Sequence, residues 1–145
     1  MLSIDLMKKL AEAPVKRPYS FVKQLTINPV YTSDSDNVNG LIADFICTAI
    51  TVSIYDNTQC ILDTDPQREP ILFQMARLGG TYSLFENPID TVLLNNISNN
   101  NNFPSFVIKG DDNWVVTVSE QLVVGTPILV APINVFVSFS GMLLG

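Results

Sequence analysis

The sequence predicts an all-β protein, an antiparallel β-sandwich of jelly-roll-like type with a short N-terminal helix. Three observations lead there. First, no residue from Gln121 to Gly145 is charged, yet Gly125, Pro127, Pro132, Asn134 and Gly141 interrupt that stretch. A spanning helix needs about 20 apolar residues without breakers, so the stretch is not read as a membrane anchor. Second, Ile133, Val135, Val137 and Phe139 share one parity while Asn134, Ser138 and Ser140 share the other, with Phe136 the one large apolar exception. Period two with β-branched residues is the mark of a half-buried strand. Third, about eight short runs separated by polar turn-formers recur along the chain, as in sandwiches and jelly rolls.

The elements follow in order. Ser3 caps a helix whose Leu6, Met7 and Leu10 form one apolar stripe, and Pro14 ends it. This arm is assigned to residues 1–18, and a single sandwich domain to residues 19–145. Residues 19–30 hold a first strand with Phe21, Leu25 and Ile27 apolar. The Ser, Asp and Asn of residues 31–40 read as a loop. Residues 41–55 are long for one strand and call for a bend or bulge, with Ile46, Ile50, Val52 and Ile54 on one face. Asp56-Asn57 reads as a hairpin turn, and residues 64–70 as another loop. Residues 71–76 and 81–85 flank Gly79-Gly80. The run 91–97 is counted with the strands, and Ser98-Asn99-Asn100-Asn101-Asn102 as a surface loop. Residues 106–108 and 114–118 flank the Gly110-Asp111-Asp112-Asn113 turn as a second hairpin, and 122–124, 128–130 and 133–139 complete the count. Ile46, Ile50, Val52, Phe106, Val116, Val135 and Val137 are expected to be buried.

Length and charge bound what such a domain does. At 145 residues the chain suits one domain with a real core. It is 47% hydrophobic and 15% charged, with a mean hydropathy of +0.28. A small domain this apolar is expected to hide part of its surface against other subunits. The net charge of −6 is uneven. Lys8, Lys9, Lys16, Arg17 and Lys23 face only Asp5 and Glu12 before residue 24, a balance of +3, and the remainder carries three bases and twelve acids, a balance of −9. An acidic body argues against nucleic acid as the main partner. The basic arm suits docking on an acidic neighbour, or simple solvation as an amphipathic helix. No signal-like apolar run opens the chain.

Chemistry-bearing constellations are few. Histidine is absent, which removes catalytic triads, Cys-His pairs and histidine metal sites. No phosphate-cradling glycine motif occurs. Asp34-Ser35-Asp36 opens like a calcium loop, but Val38, Gly40 and Phe45 break the pattern. Looser acidic groups, Asp34, Asp36 and Asp44 or Asp63 and Asp65, read as solvated loop residues. Asp111-Asp112 and Asp63/Asp65 are carboxylate pairs by type only, in sequence where Asp bonds its own backbone. Cys60 faces Ser53 if Asp56-Asn57 is the turn, which puts Cys47 out of disulfide reach, so both are read as buried free thiols. Tyr19, Tyr31, Tyr55, Tyr82 and Trp114 are scattered, and Trp114 begins an apolar alternation with Val116 and Val118 that places it in the core or at a subunit contact. No metal or cofactor is expected.

Four stretches carry a resemblance: Ala43-Asp44-Phe45-Ile46-Cys47-Thr48-Ala49-Ile50, Thr51-Val52-Ser53-Ile54-Tyr55-Asp56, Phe103-Pro104-Ser105-Phe106-Val107-Ile108 and Ile133-Asn134-Val135-Phe136-Val137-Ser138-Phe139-Ser140-Gly141. Their order resembles that of small β-sandwich structural proteins of bacteriophage and related virus particles, in which a strand closing on a small polar residue and glycine precedes a short apolar tail. The resemblance covers residues 40–145 by strand order. It implies a sandwich that assembles into a ring, vertex or shell, and it brings no catalytic residue.

The expected function is therefore a non-enzymatic virion structural protein: a capsid, vertex or capsid-decorating subunit located in the virion. Its partners are copies of itself and other virion proteins, without a transmembrane segment. Leu6, Met7, Leu10, Lys8, Lys9 and Arg17 are the expected subunit contacts. The alternative is a carbohydrate- or receptor-binding sandwich module, such as a spike or adhesin domain. An enzyme ranks third and a tail-anchored membrane protein fourth.

Overall fold

The computed structural model describes residues 4–5, 8, 16–28, 32–56, 60–61, 70–79, 82–121 and 132–144. Besides three helical residues in the arm, nine strands and one bounded helix occur among them: β1 (Lys16–Ile27), β2 (Ser33–Val38), β3 (Asp44–Tyr55), β4 (Cys60–Ile61), β5 (Ile71–Arg77), β6 (Ile89–Asp90), α1 (Thr91–Asn99), β7 (Phe106–Ile108), β8 (Trp114–Glu120) and β9 (Ile133–Leu144). They form two antiparallel sheets. The larger runs β1-β9-β3-β4, with β7 also paired to β3, and the smaller runs β2-β8-β5-β6. The architecture is sandwich-like and all-β, as the alternation predicts.

Each sheet turns one parity inward. Val135, Val137 and Phe139 of β9 meet Leu25, Ile27, Ile50, Val52 and Ile54 in one cluster with Ile71, Phe73, Met75, Trp114, Val116 and Val118 from the smaller sheet. All seven residues expected in the core are buried. The apolar band between the sheets is the main stabilising feature, since each large side chain buried contributes about 1.5–3 kcal/mol.

β9 is longer than its apolar alternation suggests. It continues through Gly141 to Leu144 and lies between β1 and β3, so the apolar tail is ladder-bonded strand. Gly141 sits opposite Cys47, where a Cβ would collide with the Ile46 carbonyl. The close approach coincides with a register shift between Cys47 and Ala49. This bulge reverses the facing of β3. Phe45 and Cys47 join the core cluster before it and Ile50, Val52 and Ile54 after it, whereas Ile46 is buried outside that cluster. The expectation that Ile46 shares a face with Ile50 is therefore corrected, because one inserted residue flips the parity.

Other segments also depart from expectation. Ser33–Val38 is a strand, not a loop; it edges the smaller sheet and buries only Val38, so its polar composition carries no period-two signal. Residues 106–108 and 114–118 are not a hairpin: β7 pairs with β3 and β8 with β2 and β5, so the turn between them crosses from one sheet to the other. The hairpin after β3 pairs Tyr55 with Cys60, which puts four residues in its loop and moves Cys60 away from Ser53. Residues 82–85 return along β5 with a single bridge, Ala76 to Ser83. Gln74 holds them there, donating to the Phe85 carbonyl (2.8 Å) and accepting from the Phe85 N–H (3.2 Å).

The largest departure is α1, read from sequence as a strand and a loop. Asp90 caps it by accepting from the Val92 N–H at 3.0 Å. At its far end Asn101 adopts a left-handed φ of 57°, while Asn102 N–H donates to the Ile97 carbonyl and Asn101 N–H to the Ser98 carbonyl. That pair of bonds is the Schellman arrangement, and asparagine is one of the few residues that tolerates its left-handed position. The asparagine tract is thus a helix terminus.

Ile4, Asp5 and Lys8 of the arm are helical and exposed. Leu6, Met7, Lys9 and Leu10 lie outside the described residues, as do the expected strands at 122–124 and 128–130. β1 begins at Lys16, two residues before the assigned end of the arm. No helix among the described residues is long and apolar enough to cross a membrane.

Candidate interaction surface

The outward faces of β1, β9 and β3 make four aligned rows. Ladder partners place Ser20, Ser140 and Ala49 in the first, Val22, Ser138 and Thr51 in the second, Gln24, Phe136 and Ser53 in the third, and Thr26, Asn134 and Tyr55 in the fourth. None of the twelve is charged. The polar parity of β9 noted in the sequence is the middle column of this grid, and its exception, Phe136, is near the centre.

A depression of about 510 Å³ opens here, lined by Val22, Ser53, Tyr55, Asn134, Phe136 and Ser138. The Phe136 and Tyr55 rings meet edge to face with centroids 5.5 Å apart and planes at 87°. Val22 is 57% exposed and Tyr55 42%, so an apolar and aromatic floor is open to solvent. Thr26 Oγ1 donates to Asn134 Oδ1 at 2.9 Å, which orients the amide and leaves its N–H group available. The volume and the mixture of apolar floor with a few polar groups fall in the range of small-ligand sites.

The other singled-out residues are dispersed. Arg17 is exposed on β1 opposite Leu143, and Lys8 is exposed in the arm. Asp34 accepts from the Thr26 N–H (2.9 Å), and Asp36 approaches Lys23 Nζ at 3.8 Å, so these carboxylates tie β2 to β1. Asp44 accepts from the Gly110 N–H at 3.0 Å, and Asp112 from the Lys109 N–H at 3.2 Å. Asp63 and Asp65 lie outside the described residues. Among the described residues no three metal-ligating side chains converge.

The aromatic residues divide into separate groups. Tyr19 contacts Phe21 and Phe45, Tyr82 meets Trp114 edge on at 5.7 Å, and Tyr55 belongs to the outer grid. Trp114 is in the core, one of the two places its alternation allows. Tyr31 lies outside the described residues.

Cys47 is buried and free. Desolvation pushes its thiol from the ordinary 9.0 up to about 12, against weaker opposing bonds to the Ala49 and Ser140 backbone. A thiol so held is protonated and unreactive at neutral pH. Cys60 pairs with Tyr55, eight positions along β3 from Cys47.

Searches against protein-family models, curated proteins and solved structures returned no match to this chain.

Proposed function

We propose that the chain is a non-enzymatic structural subunit of a virus or phage particle, built on a jelly roll and assembling into a symmetric homo-oligomer. The observation that carries this reading is the nesting of its strand pairs. Setting aside the two-residue β4, the first strand pairs with the last, β2 with β8, β3 with β7, and β5 with β6. Such nesting is expected when one long antiparallel hairpin is rolled across two sheets, and it supports the jelly-roll reading. That architecture serves viral capsid and lectin domains, and also cupins. The cupin option has least support, because the sequence has no histidine to bind a metal. The apolar composition supports assembly over a free-standing enzyme.

Docking is assigned to the arm. Packing Leu6, Met7 and Leu10 on a neighbour contributes about 1.5–3 kcal/mol per side chain. Exposed ion pairs from Lys8, Lys9, Lys16 and Arg17 add about 0–1 kcal/mol each. Light scattering and native mass spectrometry of the full chain test the proposal. A closed symmetric oligomer at micromolar concentration is expected, weakened by deletion of residues 1–14 and more by Leu6→Asp than by Lys8→Ala. A monomer under those conditions overturns the assembly reading, and undiminished assembly of the shortened chain overturns the role of the arm.

A further inference from the structure

We infer that the outer face of β1, β9 and β3 is a binding site for a neutral carbohydrate. This is independent of whether the chain assembles into a particle. Three features select the ligand chemistry. The twelve grid positions are uncharged in a protein of net charge −6. A charged ligand would lose hydration there without meeting a counter-charge. The grid is also rich in serine, with Ser20, Ser53, Ser138 and Ser140 beside Thr26 and Thr51. Protein–protein interface cores are depleted in serine, which makes a second copy of this face a poor occupant. A sugar, by contrast, presents hydroxyls that exchange hydrogen bonds with hydroxyl and amide side chains and a C–H face that sits on aromatic carbon.

The geometry supplies both halves of that match. Phe136 and Tyr55 provide aromatic surface beside Val22, within a depression sized for a few sugar rings. Around it the hydroxyls of Ser53 and Ser138 have no hydrogen-bond partner among the described residues, and the Asn134 amide is already oriented by Thr26. The donors are thus placed on three paired strands, whose ladder fixes their spacing before a ligand arrives.

Calorimetric titration and amide-shift mapping on the full chain test the assignment. The probes are cellohexaose, xylohexaose, mannohexaose and chitohexaose, with oligogalacturonate and oligoalginate as anionic comparators. At least one neutral probe should bind, with shifts centred on Phe136, and the anionic probes should not. Phe136→Ala and Tyr55→Ala should each weaken binding about tenfold. Ser138→Glu should weaken binding and leave the melting transition in place, which separates loss of the site from loss of the fold. The inference is overturned if no neutral probe binds at millimolar concentration, if only anionic probes bind, or if the shifts map elsewhere. It is also overturned if Ser138→Glu instead dissolves a dimer of the full chain and no sugar binds, since the occupant is then a second copy.

Discussion

At the scale of single residues, a few buried polar side chains complete an interior that is otherwise apolar. Among the described residues no strand lies beside the middle of β3 on the α1 side; β7 pairs with Phe45–Cys47 and β4 with Ile54 and Tyr55. Two helix side chains fill the interval. Asn95 accepts from the Val52 N–H at 2.7 Å and donates to the Val52 carbonyl at 3.0 Å. Ser98 accepts from the Ile50 N–H at 3.1 Å and donates to the Ile50 carbonyl. Asparagine and serine three apart on one helix face thus replace a ladder strand. Asn95→Leu should destabilise the protein by about 1–3 kcal/mol for each Val52 group left unpaired, measured by urea unfolding. Ser98→Ala should do the same at Ile50. A loss below half a kcal/mol in both would show that water reaches this part of the strand edge.

Cys47 yields a residue-scale prediction with a definite sign. Its folded pKa lies above the ordinary value, so the folded chain holds the proton more tightly than the unfolded chain does. The contribution is whole below about 9 and is lost as the pH rises toward about 12. Stability of a Cys60→Ser background should therefore fall across that window more steeply than that of the same background carrying Cys47→Ala. At neutral pH the remaining thiol should react with a thiol reagent only as fast as the protein opens. Rapid labelling of the native state would contradict its burial.

At the scale of elements, β9 and α1 differ in what a reader of the sequence can see. β9 announces itself because both its neighbours bury the same face, which imposes strict alternation over residues 133–139. It is an interior strand of the larger sheet, bonded along its length to β1 and β3. Truncation after Pro132 removes that interior strand and should abolish cooperative unfolding in circular dichroism. A soluble body with an unchanged transition would contradict the central placement. Gly141→Ala is the subtler test of the same strand. The collision with the Ile46 carbonyl involves backbone, which yields only if the bulge rearranges. A loss of about 1–3 kcal/mol is expected, and a neutral result would mean the bulge shifts freely.

α1 was concealed for a physical reason. Thr91, Leu94, Asn95 and Ser98 recur at helical spacing and are all buried, but three of the four are polar. A hydrophobicity pattern passes over a helix whose inward face is made of hydrogen-bonding groups. Asp90 as a cap and Asn101 beyond the end were the legible signals. β2 was concealed by its edge position. An exposed edge strand needs no apolar face, and its polar residues instead reach across to β1 through Asp34 and Asp36. Lys23, paired with Asp36, occupies the core-facing parity of β1 at this rim, where a charge discourages strand addition by another chain. Lys23→Val should leave folding intact and raise aggregation on heating, followed by turbidity.

At the scale of the whole molecule, the order and composition of the residues by themselves determined the sandwich-like class, the buried alternation and the absence of histidine chemistry. These properties are local or additive: a period of two marks a half-buried strand wherever it is paired, and a missing residue type is missing in every fold. The alternation also marked the outward column of β9, with Phe136 set among polar neighbours. Only the tertiary structure decided that this column stands beside Val22, Thr51, Ser53 and Tyr55, because ladder register joins residues 79 to 116 positions apart. The same holds for the facing of β3, which one bulge reverses, and for the sheet to which β7 and β8 belong. Strand partnership is a long-range choice set by which apolar faces close on each other, and no window of sequence contains both partners.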